Sequence, residues 1–441
     1  MMAPLSKVMQ HPPVPAQAPR QGRALRRAQW RPQWRAGWRC LTVLLAALLA
    51  GCGTHSGLPR VIYLGMGVNF DQTIDAVLLD DTQQRLAELE AGYGRIYPNT
   101  RVQLSLYPER QLAWAMQRRN RAGLGPDLLL INGETALRLL SEGLITPFPQ
   151  SGVNLNVFDP EVLDRLRSPA GELAGLPVLV HTQVACFNRR RLAEAPATLQ
   201  DLLSMSAKGH PVGLSMEFSN LFWTVGSLGA LDAFETTLAG RQPTRGQQRA
   251  IERWLSWLQN AGNQQRITFY ATQPSTEAEF LAGRLDWLPC RSSAIPQLRK
   301  ALGDGLGVAP LPGGDGGDPS PINHLRVLAL GTNSSQGSRK RALAFSHFSV
   351  NPLSQRNLTL GSQVMLPANR FVQVPLSSSA VLRAMATSAQ QGSKTNSLVE
   401  LMHRNDSQVA EIEGLLTTLV FGEVPAASAG RQLVTILRNR R

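Results

Sequence analysis

Two rhythms of apolar positions organise the first third of the chain. Arg60–Met66 (RVIYLGM) is a β-branched and apolar run, which predicts a buried strand. Asp81, with Gln84 three residues on, reads as a capping box that opens a helix. Leu86, Leu89, Tyr93 and Ile96 then recur at helical spacing as its core face, and Pro98-Asn99 stops it. Val102, Leu104 and Leu106 alternate with polar neighbours and predict a second strand. A helix over Gln111–Arg121 follows, then a buried strand at Asp127–Ile131 and a helix at Glu134–Ser141, ended by Gly143. This βαβαβ order predicts a parallel sheet with helices on both faces.

The pattern then changes. Leu173–Phe187 reads as two strands in quick succession, and Thr198-Leu199-Gln200-Asp201 as a capping box opening a helix. Ile251, Trp254, Leu255 and Leu258 form the apolar face of a helix after Thr244; Trp257 lies off that face. Thr276-Glu277-Ala278-Glu279 opens another, closed by Gly283, and Gly313–Asp318 (GGDGGD) reads as a flexible loop. A strand at Leu325–Leu330, a helix at Lys340–Phe348 and further helices complete the chain. At 441 residues it is long enough for two or three domains. There is no internal repeat, Walker loop, GxGxxG after a strand, HExxH or GxSxG. The scattered acids single out no glycosidase pair, and no His/Asp/Glu cluster favours a metal.

Charge changes the picture at the N-terminus. Of the net +14, residues 1–51 supply +8 without one acidic residue, leaving +6 for the remainder. That remainder has no basic stripe interleaved with aromatics, so a nucleic-acid partner is not expected. Cys40–Ala50 (CLTVLLAALLA) is apolar, too short to span a bilayer as a stop-transfer helix, and preceded by arginines, as in a secretory signal. The basic region before it is unusually long, with Trp30, Trp34 and Trp38 among its arginines. Leu49-Ala50-Gly51-Cys52 resembles a bacterial lipobox. The resemblance implies a signal peptide over 1–51, lipidation of Cys52, a tether over 52–58 and attachment on the periplasmic side of the cell envelope. The alternative is an ordinary signal with an incidental cysteine. Cys186 and Cys290 are too far apart in sequence for a metal or redox motif. Two buried thiols are expected, a disulfide being the alternative that an oxidising compartment permits.

Gly125–Phe148 (GPDLLLINGETALRLLSEGLITPF) resembles the first-lobe signature of maltose-binding-type extracellular solute-binding proteins. Gly175–Asn188 (GLPVLVHTQVACFN) is similar to that family's hinge segment. Glu279–Gln297 (EFLAGRLDWLPCRSSAIPQ) is similar to its second-lobe segment, and Gly307–Gly314 and Leu360–Pro367 to its return crossing and late Gly-to-Pro stretch. Together these span Pro59 to Asn369 in order. The resemblance implies an α/β fold of two hinged lobes, each a mostly parallel sheet flanked by helices. The first lobe is expected over 59–183 and 325–370, and the second over 184–324 and 371–441 with the C-terminal helices. It implies a binding lipoprotein, not an enzyme. The lipoprotein would carry a small carbohydrate or polyol to the permease subunits of an ABC importer in the inner membrane, as a monomer without cofactor or metal. A polyamine or phosphate ester in the same fold, and a lipid-anchored envelope hydrolase, are the rival readings. Asp286 and Arg291-Ser292-Ser293 depart from the family pattern, which bears on the ligand.

In open α/β sheets, ligands bind beyond the carboxyl ends of strands. The loop after the first strand, with Asn69, and Asn132, Glu134 and Thr135 after the third are therefore candidate ligand contacts. Glu134 suits two hydroxyls or an ammonium; it equally suits the N-terminal dipole of its helix. Asn132 is better read as that helix's cap. Trp223 matches the family region that supplies a stacking aromatic, its alternative being core. His181 and Asn323 fall at the two crossings, and Arg291 and Ser292 at the end of a second-lobe strand. Arginine there would suit an anionic group.

Overall fold

The computed structural model describes residues 60–68, 74–362, 364–395 and 406–439. The expected signal, Cys52, its tether and Asn69 lie outside the described residues. β1 (Arg60–Val68), β2 (Thr100–Pro108) and β3 (Leu128–Asn132) are parallel, with β1 between the other two. They are linked by α1 (Ala76–Gly94) and α2 (Leu112–Arg121), and α3 (Gly133–Ser141) follows β3. Their even positions carry Ile62 and Leu64, both buried. Each such side chain contributes about 1.5–3 kcal/mol when fully buried, so this face of the sheet carries the first-lobe core.

The chain continues through β4 (Ile145–Thr146) and α4 (Pro160–Asp164) to β5 (Leu176–His181), still in the first sheet, and enters the second sheet as β6 (Gln183–Asn188). One residue, Thr182, separates the two strands. Next come α5 (Leu199–Ala207), β7 (Val212–Ser215), the short helices α6 (Phe218–Leu221) and α7 (Trp223–Ser227), and α8 (Leu231–Leu238). They are followed by α9 (Arg245–Gly262), β8 (Ile267–Tyr270), α10 (Gln273–Leu281), β9 (Trp287–Arg291), α11 (Ile295–Leu302) and β10 (Leu306–Ala309). The second sheet has the order β10-β6-β9-β7-β8. β11 (His324–Gly331) returns to the first sheet between β3 and β5, and α12 (Gln336–Ser349), α13 (Pro352–Ser362) and β12 (Leu366–Pro367) complete that lobe. α14 (Ala380–Gln391) follows. α15 (Asp406–Val420) and α16 (Ala426–Arg438) pack on α9 of the second lobe, where Glu413 accepts the first backbone N–H of α6, from Phe218, at 2.9 Å.

The two sheets follow the α/β, two-lobed expectation, and both mix parallel with antiparallel pairs. β11 runs antiparallel to both its neighbours, as β6 does in its own sheet. The strands that arrive from the other lobe are thus inserted against the direction of the local βαβ units.

Several boundaries differ from expectation. α1 starts at Ala76, because the Asp75 side chain accepts from Leu78 N at 2.8 Å; Asp81 lies inside the helix, paired with Arg85. Ile96 falls beyond the helix and is 60% exposed. α10 starts at Gln273 with Thr272 as cap, which places Thr276 in the helix and buries it. The GGDGGD loop is seated against α7: Gly316 N bonds to Ser227 O, and a Cβ at Gly316 would strike the Leu228–Gly229 backbone. Cys186 on β6 and Cys290 on β9 are joined as a disulfide, their Cα atoms 5.8 Å apart, where buried thiols were expected. Register explains the bond: Val184 opposes Cys290 and Cys186 opposes Leu288, so the cysteines are diagonal neighbours on one sheet face.

Candidate functional site

β1 and β3 point their carboxyl ends at the edge of the first sheet where the chain crosses between lobes. Below that edge lies a buried charge pair that composition and periodicity did not reveal. The Arg326 guanidinium, on β11, donates to Glu109 Oε2 at 3.3 Å; both side chains are almost wholly buried. Arg326 also donates to Asn132 Oδ1 at 2.9 Å, to Gly67 O at 2.6 Å and to Leu130 O at 2.8 Å. The other carboxylate oxygen of Glu109 accepts from Asn132 N at 2.9 Å. Arg326 and Asn132 are register partners on adjacent strands, so the arginine reaches across β3 to β1. Gly67 has to be glycine, because a Cβ there would collide with the Glu109 carboxylate. The last residues of β1 and β3, from which the two expected ligand loops spring, are therefore tied to one guanidinium.

Asn132 is spent on this network. It precedes α3 as expected, but its side chain makes no capping bond because Arg326 holds it instead. Thr135 is buried in the first turn of α3. Glu134, in the same turn, forms an ion pair with Arg165 at 3.7 Å, its side chain 22% exposed. Arg165 in turn donates to Asn323 O at 2.9 Å, on the return crossing. Burial lowers the pKa of Arg165, and Glu134 partly restores it.

The two crossings sit side by side. His181, the last residue of β5, is the register partner of His324, the first of β11. His181 Nδ1 lies 3.3 Å from Ser292 Oγ, so the first lobe's outgoing strand touches the end of the second lobe's β9. Withdrawal from solvent, reinforced by the Arg326 charge, depresses the His181 pKa to about 3, and His324 is pushed down by burial and by Arg291. Both imidazoles are therefore neutral near pH 7. Arg291 opposes Gln183 across β9 and β6, and its guanidinium lies 3.5 Å from Asn220 Oδ1. Asn323 donates to Ala389 O of α14 at 2.7 Å. Around these crossings Thr182 Oγ1, Gln183 Oε1, Ser293 Oγ, Asn323 Oδ1 and Arg165 Nε are buried and make no hydrogen bond within the chain. Buried polar atoms of this kind ordinarily find a partner, so the five mark hydrogen-bonding capacity that the chain itself leaves unmet beside the crossings.

Trp223 does not belong to this group. It is wholly buried in the second-lobe core, edge-on to Trp287 with ring centroids 6.2 Å apart, and its backbone carbonyl accepts from Ser320 N. An indole packed on all sides offers no face to a sugar, so the stacking assignment gives way to the core one. Trp254 is also core, its Nε1 donating to Thr224 Oγ1 at 2.7 Å, and Trp257 is buried beside it. Asp286, the departure from the family pattern, is held by Arg191 and His210 at 2.9 Å each, before β9 begins. The residues that sequence reasoning passed over are Glu109, Arg165, Asn220 and Arg326. Two of these carried a signal: Arg326 is a lone charge inside an apolar strand, and Glu109 directly follows the carboxyl end of β2.

Comparison with solved structures finds the same two-lobed fold elsewhere. The GacH receptor of Streptomyces glaucescens, described unliganded and with acarbose, superposes with a TM-score of 0.65 at 15% identity, covering 87% of this chain and 100% of that one. The maltose-maltodextrin binding protein of Alicyclobacillus acidocaldarius gives 0.62 at 16% identity, covering 86% and 100%. An ABC transporter solute binding protein from Thermotoga lettingae, bound with α-D-tagatose, gives 0.63 at 12% identity, again covering 86% and 100%. Comparison with curated proteins returns no match. The family model described as bacterial extracellular solute-binding protein matches residues 85–379, which takes in β2 through β12, both crossings and the paired histidines between them. On that match, the chain belongs to the bacterial extracellular solute-binding proteins.

Proposed function

We propose that the protein captures a small neutral carbohydrate or polyol between its lobes and delivers it to the permease subunits of an ABC importer. In this reading it is a monomer held on the periplasmic side of the envelope by a lipid on Cys52. The observation that carries the solute class is the set of buried, unbonded polar atoms around the crossings, at Thr182, Gln183, Ser293, Asn323 and Arg165. They include both acceptors and donors, and hydroxyl groups supply both complements. The first-lobe acids Glu109 and Glu134 are each engaged by an arginine, which argues against a polyamine seeking free carboxylates. Acarbose, maltodextrin and tagatose ligands among the structural neighbours agree with this class. Glu134, Thr135, His181, Arg291, Ser292 and Asn323 are the described candidates for ligand contact, with Asn69 alongside them; Asn132 acts through Arg326.

A thermal-shift screen against sugars, polyols, polyamines and phosphate esters tests the reading. A ligand present at about 100 times its dissociation constant stabilises by about 2.7 kcal/mol. A shift with sugars or polyols alone is the expected result. A shift confined to polyamines or phosphate esters would replace the solute class, and turnover of a glycoside or ester would replace the function.

A further inference from the structure

A cavity of about 400 Å³ opens between the lobes at a place that none of the candidate solute contacts lines. Its first-lobe wall is α1, with Asp81, Arg85 and Glu88; its second-lobe wall is α11, with Pro296, Arg299 and Lys300; Leu358 and Met365, from α13 and the stretch before β12, close it. The size falls within the roughly 300–1,000 Å³ of small-molecule pockets.

Charge is divided between the walls. Asp81 and Arg85 neutralise one another within α1, which leaves Glu88 as the first lobe's net charge there. Arg299 and Lys300 lie in the last turn of α11 and are both exposed. No ion pair among the described residues joins the two walls. One wall is thus negative and the other doubly positive, with an apolar strip of Pro296, Leu358 and Met365 between them. A simple anion would meet Glu88, a simple cation would meet Arg299 and Lys300, and a neutral sugar would leave all three without a charged partner. A molecule carrying both charges at one end and an apolar body at the other matches every wall.

We infer that this cavity is a second ligand site, taking a small zwitterion with an apolar side chain, of α-amino-acid size. Its carboxylate lies on Arg299 and Lys300, its ammonium on Glu88, and its side chain against Leu358 and Met365. Because the two charged ends are held by different lobes, the ligand bridges them.

Calorimetric titration of the full-length protein with L-leucine tests the inference, with 4-methylpentanoate and isopentylamine as carboxylate-only and amine-only controls. The expected result is saturable leucine binding, with either control at least about ten-fold weaker, the loss of one charge-assisted hydrogen bond. Glu88→Gln and the double variant Arg299→Gln/Lys300→Gln should each weaken leucine about ten-fold or more while leaving unchanged the affinity for whichever sugar stabilises the parent. Glu88, Arg299 and Lys300 are all exposed, so these variants fold. Absence of leucine binding, equal binding of both controls, or unchanged affinity in the variants overturns the inference. Leucine affinity lost in Glu134→Gln but kept in Glu88→Gln also overturns it, by placing the amino acid at the crossings. Leucine bound through Glu88 in a protein that binds no sugar leaves the inference standing and overturns the proposed solute class.

Discussion

Arg326 and Glu109 are 217 residues apart in the chain and 3.3 Å apart in the fold, on strand β11 and just after strand β2. The pair links the strand that returns from the second lobe to the first-lobe elements that precede the crossing. Breaking such a buried pair by removing one partner costs about 3–5 kcal/mol, since the remaining charge stays buried. Arg326→Ala should therefore lower stability by that order in urea unfolding and loosen the ends of β1 and β3. Glu109→Gln keeps the shape and a hydrogen-bonding oxygen, and should cost less. Equal stability of Arg326→Ala and the parent would show that the network holds nothing in place.

The Cys186–Cys290 bond closes a loop spanning 104 residues, from the first strand of the second lobe to its central one. By the chain-entropy account, a loop of this length contributes nearly 5 kcal/mol, and measured losses run about 2–5 kcal/mol. Reductant should lower the melting temperature of the parent and leave a Cys186→Ala/Cys290→Ala variant unmoved. Alkylation of both cysteines in the denatured, unreduced protein would refute the bond.

What the sequence made legible was local. The apolar runs gave the strands, and Thr198 with Asp201 gave a true capping box, each side chain bonding the other's backbone. Asp81 with Gln84 and Thr276 with Glu279 have a similar spacing yet lie inside helices, because Asp75 and Thr272 upstream reach the free N–H groups first. Spacing identifies a possible cap but not which of two candidates the backbone uses. The candidate site was legible only as loops: the structure links Glu134 through Arg165 to Asn323 and sets His181 beside Ser292. Their partners were not, because Arg326 meets Glu109, and Arg165 meets Asn323, only through sheet register and long-range packing. Trp223 misled because an indole at the edge of a family motif reads alike as platform or as core.

Trp223→Ala should accordingly cost about 3–5 kcal/mol of stability, the usual loss for a buried large aromatic. The fraction that stays folded should bind its solute with unchanged affinity. Calorimetric binding at a temperature below the variant's transition separates the two effects. A selective loss of affinity with stability intact would return Trp223 to the site.

The neutral histidines give the protein a pH dependence whose sign follows from their depressed pKa. His181 titrates near 3 when folded and near 6.5 when unfolded, and His324 is shifted the same way. Between those values the unfolded chain binds more protons than the folded one, so stability falls as pH drops below about 6.5. Each histidine contributes at most about 1.4 kcal/mol per pH unit. Melting temperatures between pH 7 and pH 4 should fall, and more gently in His181→Gln/His324→Gln. An identical slope in parent and variant would assign the acid sensitivity to other groups.

Glu134 is placed to serve both the fold and the ligand, and the two roles separate by measurement. At the first turn of α3 its charge favours the helix dipole by about 0.3–1 kcal/mol. Its 3.7 Å pair with Arg165 is longer than a hydrogen bond, the two side chains being 13% and 22% exposed. Glu134→Gln should therefore lower the melting temperature of the empty protein only slightly. If its carboxylate bonds a solute hydroxyl, the same change removes about 1.5–3 kcal/mol of binding, a loss of roughly 10-fold to 100-fold. Arg165→Gln gives the opposite balance. It takes away the donor to Asn323 O at the return crossing, and so lowers stability more than Glu134→Gln does. Titration of both variants with whichever sugar stabilises the parent decides between the roles. If Glu134→Gln binds that sugar as tightly as the parent, Glu134 serves the helix and Arg165 alone, and the first-lobe contact has to be sought among Thr135 and His181.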